Sequence, residues 1–452
     1  MAVADAFTNR GALPSLIAAI DARSIQPAIT IIFTGAIFTV AASSAVHHIT
    51  AMNYPASSDL AAWVTEAGLA GRSETTLLSG FCERAVSGGI PLAKASLIVD
   101  TLHPVHEGRV FRWQRDQEST FLEYGRTTEG EAAEAWRRSP FYHLWHSGEP
   151  FLRRRLAAGE TADFPVIEDM RKIGITDYLA MNSRFAADGV IGEMDCILSS
   201  WMTESPEGFS EREVAALRHL VPFLALAVKC ASLGRIAETL VETYLGRDAG
   251  RRVLSGRISR GVTEKIGAVL WFSDLRGYTK ITDTAPPEQI IPLLNDYADA
   301  VISAIHEEGG EVLKLIGDGT LAIFQTADRE HACRGALAAA ASSRRRIAAL
   351  NELRATQALP TTQMYLGLHV GEVFYGNVGS KDRLDFTVVG PAVNEASRIA
   401  AMCRSVDQDV LLSAAFAEAA GTARQQLISV GRYALRGVGK PQELFTLEPD
   451  PR

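Results

Sequence analysis

Cysteine is scarce and poorly placed for structural chemistry. The five present, Cys82, Cys196, Cys230, Cys333 and Cys403, are scattered, odd in number and never spaced Cys-x-x-Cys. That pattern excludes a disulfide framework and a zinc site and indicates a reducing compartment. Basic residues are not in excess either: 45 Lys and Arg against 53 Asp and Glu leave a net charge of −8. The concentrated positive surface that a nucleic-acid backbone requires is missing, so no nucleic acid is expected as a partner. Charge is absent altogether over the twenty residues from Pro27 to Val46, a stretch long enough to span a bilayer. Thr and Ser dilute it, and Arg10 and Arg23 before it are offset by Asp5 and Asp21. A packed or loosely ordered tail over 1–70 is therefore preferred, with a membrane-associated helix as the alternative.

A chain of 452 residues exceeds what one core normally holds, and 47% hydrophobic residues suffice for two. The most informative stretch runs from Val269 to Phe324. An apolar run ends in Phe272-Ser273-Asp274-Leu275-Arg276-Gly277-Tyr278-Thr279, and a second, Val312 to Phe324, is broken by Gly317-Asp318-Gly319. Glycine at the first position of a two-residue turn between apolar runs predicts a hairpin. If the first run is the neighbouring strand, Asp274 and Asp318 converge on one cation. Hard oxygen donors of this kind suit magnesium, which takes one or two carboxylates and completes its octahedron with water and substrate phosphate.

These two blocks, together with Thr387-Val388-Val389-Gly390-Pro391-Ala392-Val393-Asn394-Glu395-Ala396-Ser397-Arg398, resemble the three signature blocks of class III nucleotidyl cyclases, in the same order and at similar spacing. The resemblance covers Ile266 to Leu447. It implies an α+β, ferredoxin-like catalytic domain over 263–452 that converts ATP to 3′,5′-cyclic AMP and pyrophosphate. Asp274, Asp318 and the Leu275 carbonyl match the ligands of two Mg²⁺ ions per site, with Mn²⁺ able to substitute. Gly277, Tyr278 and Thr279 match the phosphate loop. Asn394 matches the residue that orients the ribose, and Arg398 the one that stabilises charge on the α-phosphate. Pro391 starts that helix well and puts Asn394 and Arg398, four residues apart, on one face.

Base choice rests on Lys314 and Thr387, which match the adenine-contacting pair of adenylyl cyclases. A lysine cannot accept the N1 proton of guanine, so ATP is favoured over GTP. Asp385, two residues before Thr387, shares its side of a strand and competes for the same role. Arg383 and Lys440 are further phosphate candidates, Arg436 being the rival to Lys440. The family's sites lie between two chains, one giving the aspartates and the other the ribose and transition-state residues, so the resemblance implies a homodimer. The alternatives are a guanylate or promiscuous cyclase, or a catalytically silent nucleotide-sensing module. A diguanylate cyclase is disfavoured, because Gly309-Gly310-Glu311-Val312-Leu313 lacks the second acidic residue and the Phe of its signature. A cleaved signal peptide would carry the catalytic domain away from ATP. A cytoplasmic location is expected, with inner-membrane association through 27–46 as the alternative.

Residues 71–230 read as a mixed α/β module: a helix over Thr75 to Val86, strands at Ala95 to Val99, Arg109 to Trp113 and Asp195 to Trp201, and a long helix opened by the capping box Ser210 and Glu213. Their arrangement resembles the small-ligand sensor modules called GAF domains, which implies a regulatory domain with a small-molecule ligand. His103, His106, His143 and His146 lie among Trp113, Tyr124, Trp136, Tyr142, Trp145 and Tyr178, a mixture suited to a planar ligand or haem. Partly exposed or hydrogen-bonded histidines in an aromatic core are the preferred reading. The Arg153-Arg154-Arg155 run reads as a solvated face. Leu217, Leu220, Val221, Leu224, Val228, Ile236, Leu240 and Tyr244 form a helical stripe that either packs back on its own domain or pairs two chains, pairing being favoured. A connecting helix and linker over 231–262 follow; Gly246 to Gly261 reads as a basic linker.

Overall fold

The computed structural model describes residues 55–126, 129–186, 190–325, 328–436, 438–439 and 441–447, together with Ile32–Phe33 and Ala36–Ile37. The chain divides into two units, Met1–Ser58 and Asp59–Arg452. In the first, β1 (Ile32–Phe33) and β2 (Ala36–Ile37) pair antiparallel, Ile32 opposite Ile37. These four residues are extended where a membrane-associated helix was the alternative, in keeping with the strand preference of Ile and Phe. The rest of 27–46 lies outside the described residues.

In the second unit, α1 (Pro55–Leu69) and α2 (Glu74–Ser87) lead into β3 (Lys94–Asp100), β4 (His106–Gln114) and β5 (Thr120–Gly125). Then come α3 (Glu131–Arg137), α4 (Pro140–Ser147), β6 (Phe151–Arg155), α5 (Pro165–Lys172), β7 (Asp177–Arg184), β8 (Cys196–Thr203) and α6 (Glu211–Leu245). The six strands form one sheet in the order β5-β4-β3-β8-β7-β6, with every pair antiparallel. Alternation along the strands sorts their side chains. Leu97, Leu179, Ile197 and Trp201 face α1, α2 and α6, while Tyr178, Ala180 and Met202 face α4 and α5.

The capping box at the start of α6 is present: the Glu213 amide donates to Ser210 Oγ and the Ser210 amide to Glu213 Oε2. Leu217, Leu220, Val221, Leu224, Val228 and Ile236 are buried in this domain's own core. The stripe favoured for pairing therefore packs back on its own sheet, because an α2–sheet groove covers it; Tyr244 alone of that series stands exposed.

The arginine run is not a solvated face at its first position. Arg153 bonds Asp177, Nη2 to Oδ2 at 2.7 Å, and reaches Glu211 at 2.6 Å, because β6 pairs with β7 and lays the guanidinium over a carboxylate that is 1% exposed. Removing it leaves that carboxylate buried with its main cation gone. Arg153→Ala is expected to lower unfolding free energy by about 3–5 kcal/mol, measured by denaturant titration. The histidines have protein partners: His103 Nδ1 accepts from the Val105 and His106 amides, His106 pairs with Glu123 at 3.2 Å and His143 with Glu149 at 3.5 Å. No cluster of three or more metal-ligating side chains forms among the described residues.

The C-terminal half holds α7 (Arg247–Leu254), β9 (Thr263–Leu275), α8 (Tyr278–Thr284), α9 (Ile290–Glu307), β10 (Glu311–Ile316), β11 (Gly319–Gln325) and α10 (Arg329–Thr356). It continues through β12 (Met364–Gly379), β13 (Leu384–Val389), α11 (Pro391–Val406), β14 (Val410–Ser413), α12 (Ala414–Ala419), β15 (Leu427–Tyr433) and β16 (Gln442–Leu447). The sheet runs β10-β11-β9-β12-β14-β16-β15, β13 pairs with β12, and only β12–β14 is parallel. This is an α+β fold, as expected. Val269 and Trp271 face α9 and α10, whereas Ala268 and Leu270 face α7 and α11.

β12 stays in continuous register with β9 from Met364 to Gly376. Gly371 does not break it: a Cβ there would come within 2.5 Å of Ala392 Cβ, so the glycine admits α11. One detail differs from the sequence reading. The basic linker contains α7, held by Arg252 bonded to Asp248 at 2.6 Å and paired with Glu264, with Ala249 buried against the sheet. A run of arginines reads as linker in sequence, and four-residue spacing to Asp248 makes it helix.

Candidate active site

β9 and the β10–β11 hairpin place the two aspartates. Thr320 pairs with Ser273, so the hairpin end lies beside the end of β9. A Cβ on Gly319 would stand 2.8 Å from the Ser273 carbonyl; glycine there lets the turn approach and brings Asp318 to Asp274. The Leu275 amide donates to Asp274 Oδ1 at 3.1 Å and to Asp318 Oδ2 at 3.2 Å. One N–H thus serves two carboxylates, and Asp274, Leu275 and Asp318 line one cavity of about 160 Å³ with Tyr297 and Met364.

Asp274 reaches solvent, yet the protein packed around it, its side-chain hydrogen bond with Asp318 and the Asp318 charge raise its pKa to about 7, against the Leu275 amide, which lowers it. Two carboxylates that cannot both ionise comfortably are a donor set suited to a divalent cation, which removes the repulsion. The residues fit Mg²⁺ on that ground. In metal-free protein the sign follows directly: a carboxyl whose folded pKa is raised adds stability below the unfolded value near 4 and loses it as pH rises through about 7. Asp274→Asn should therefore raise the Tm of metal-free protein at pH 8 and leave it unchanged at pH 4. Solvent screening limits the gain to on the order of 1 kcal/mol, read by thermal melts in chelator.

The expected phosphate loop follows at once. Gly277, with φ 71° in the left-handed region, turns the chain into α8, and Tyr278 and Thr279 are its first two residues.

Asn394 and Arg398 stand together on α11, as expected, and line a separate cavity of about 650 Å³ with Val389, Pro391, Val438 and Gly439. Neither has a hydrogen-bonding or ionic partner among the described residues, so both are free to meet a ligand. The segment bearing Arg436 borders this cavity; Lys440 lies outside the described residues. Arg383 sits in the exposed loop at the far end of β13 and does not line the cavity. Behind α11, Glu395 lies 3.6 Å from buried His369 and accepts from Gln442, and His369 bonds Ser413 at 2.9 Å. This network, which fixes the helix presenting Asn394, joins residues 26 and 47 positions apart and leaves no local signal in the sequence.

Lys314 on β10 pairs directly with Asp385 on β13. Asp385 is thereby engaged, while the buried Thr387 Oγ1 has no hydrogen-bond partner. In one chain, then, the aspartate pair and the Asn394–Arg398 pair occupy different cavities with no lining residue in common.

Residues 262–449 match the model of the adenylate and guanylate cyclase catalytic domain. An adenylate cyclase of Anabaena cylindrica is 36% identical over 146 residues, 31% of this chain and 28% of that protein. An uncharacterized protein of Mycobacterium tuberculosis is 33% identical over 210 residues, 45% of this chain and 37% of that one. The chain spans well under half the length of these curated relatives. The solved adenylyl cyclase CyaB of P. aeruginosa aligns with 42% of this chain and 98% of its own at 22% identity and a TM-score of 0.38. With the three motif blocks at these positions, residues 262–449 carry a class III adenylate and guanylate cyclase catalytic domain.

Proposed function

We propose that the chain cyclises ATP to 3′,5′-cyclic AMP and pyrophosphate at a site completed by a second copy of itself. One observation carries this reading: each chain holds an aspartate pair and an unpartnered Asn394–Arg398 pair in separate cavities. A head-to-tail dimer joins one half of each to the other half and yields two equivalent sites.

Asp274, Asp318 and the Leu275 carbonyl would hold Mg²⁺ or Mn²⁺. Bound there, divalent metal lowers the pKa of the attacking 3′-hydroxyl and neutralises the triphosphate. The amides of Gly277 to Thr279 supply N–H donors to the β- and γ-phosphates. Asn394 orients the ribose, and Arg398, without a competing carboxylate, is poised where charge grows on the α-phosphate during in-line displacement. A preorganised cation of this kind contributes about 3–4 kcal/mol to lowering the barrier. Lys314 donates to an adenine acceptor and is kept in place by Asp385. The Thr387 hydroxyl, buried and unpartnered, is the better candidate for the adenine amino group.

In this reading the N-terminal domain is a GAF-like module that regulates this site and takes a small-molecule ligand, supported by its antiparallel sheet and terminal helix, and the protein is cytoplasmic. Competition assays with ATP and GTP at equal concentration test the substrate. Cyclic AMP in large excess over cyclic GTP supports the reading, whereas equal or inverted yields replace it with a promiscuous or guanylate cyclase.

A further inference from the structure

The segment that enters β12 grips the end of β9 that carries Asp274. Thr362, two residues before β12, is 7% exposed. Its backbone is held on both sides: its amide donates to Tyr297 Oη on α9 at 2.9 Å, and its carbonyl accepts from Asn351 Nδ2 on α10 at 2.7 Å. Tyr297 and Asn351 are also bonded to each other. With the backbone fixed in this way, the Thr362 hydroxyl donates to the Arg276 carbonyl at 2.6 Å. Beside it, the Arg276 amide donates to the Gln363 carbonyl at 2.8 Å, so Arg276 extends the pairing of β9 with β12 past Leu275 and Met364. The Arg276 side chain is drawn the same way, to Asp409 at 3.6 Å and over the Tyr365 ring.

We propose that Thr362 is a positioning residue for the metal, because it holds the peptide that aims the Leu275 carbonyl. That carbonyl and the Arg276 amide belong to one trans peptide, whose C=O and N–H point in opposite directions. The Arg276 N–H is turned to Gln363 on the β12 side. The Leu275 carbonyl is therefore turned to the other side, where the Leu275 amide reaches Asp274 and Asp318. Two carboxylates and one carbonyl thus face one place. A backbone ligand has no rotamer of its own, so its aim depends on the hydrogen bonds that hold its peptide, as outer hydrogen bonds orient metal ligands generally. The Thr362 bond closes that grip at the next carbonyl, and Tyr297, which lines the aspartate cavity, ties it to α9. Without the hydroxyl the Arg276 carbonyl loses this bond, and the peptide before it gains freedom to tilt. This role rests on the reading of Asp274 and Asp318 as metal ligands and adds what aims the third one. Leu359 to Gln363 carries no motif that would mark it in the sequence.

Titration of the full chain with Mn²⁺ alone, followed by the electron paramagnetic resonance signal of the free ion, tests this without nucleotide or turnover. Thr362→Val, of nearly the same shape, should weaken Mn²⁺ binding by about tenfold, and Thr362→Ser, which keeps the hydroxyl, should bind as the unmutated chain does. In steady state the Val variant should need about tenfold more Mg²⁺ for half its maximal rate, with little change in kcat at saturating metal. A hydroxyl that only stabilised the fold would lower Tm and leave Mn²⁺ affinity where it was. That result overturns the proposal, as does an equal loss in Thr362→Ser and Thr362→Val. If Thr362→Val does not fold, Asn351→Ala, which frees the Thr362 carbonyl, takes its place: weaker Mn²⁺ binding supports the grip, and unchanged binding overturns it. Asp318→Ala distinguishes this failure from that of the metal reading. An unmutated chain that binds no more Mn²⁺ than Asp318→Ala ends the metal reading and the role of Thr362 with it. Loss in Asp318→Ala with none in Thr362→Val ends the role of Thr362 alone.

Discussion

Chains carrying Asp318→Ala and chains carrying Arg398→Ala, each inactive alone, should regain activity when mixed and allowed to exchange. The expected recovery is about a quarter of the unmutated rate: random exchange makes half the dimers mixed, and each mixed dimer has one of its two sites intact. The basis is geometric. Asp318 acts from the hairpin end beside β9, and Arg398 acts from α11 on a different cavity of the same chain. Substituting Arg398 alone removes a cation needed as charge develops, so kcat should fall by about 10²–10³-fold with little change in nucleotide affinity. Substituting Asp318 alone removes half of the donor set for metal and should leave no measurable turnover. Failure of the mixture to recover would mean that both halves serve one chain.

The second large effect concerns the base. Lys314→Glu should lower kcat/KM for ATP by about 10²-fold or more and raise the relative use of GTP, because a carboxylate accepts from guanine N1 and cannot donate to adenine N1. The neighbouring Asp385 sharpens the expectation. In the native chain it is paired with Lys314; after the substitution it faces a like charge, so Lys314→Glu with Asp385→Asn should use GTP better than Lys314→Glu alone. Steady-state kinetics with both nucleotides separate these outcomes. An unchanged ATP to GTP ratio in both variants would remove Lys314 from base recognition.

What the sequence made legible was chemistry carried by short contiguous blocks. Asp274 and Asp318 are each flanked by apolar strand residues and by glycines whose geometric roles can be read locally, and Asn394 and Arg398 follow a helix start at Pro391. Their convergence in space needed only strand adjacency, which β9 and the hairpin supply. The features that escaped were pairs made by tertiary contact. Arg153 looks solvated until β6 is laid beside β7, and the Glu395–His369–Gln442 network has no spacing that marks it. α6 misled for a different reason. Its apolar stripe is conspicuous in the sequence, and only burial shows that its own domain covers it.

The most direct measurement of the central claim follows ATP binding and product formation on one preparation of the full chain with Mg²⁺, beside Asp318→Ala. Cyclisation at the proposed site predicts cyclic AMP and pyrophosphate in equal amounts from the unmutated chain and neither from the variant. ATP bound by the unmutated chain with no product formed, with Mg²⁺ or with Mn²⁺, would contradict it and leave a nucleotide-binding module built on a cyclase fold.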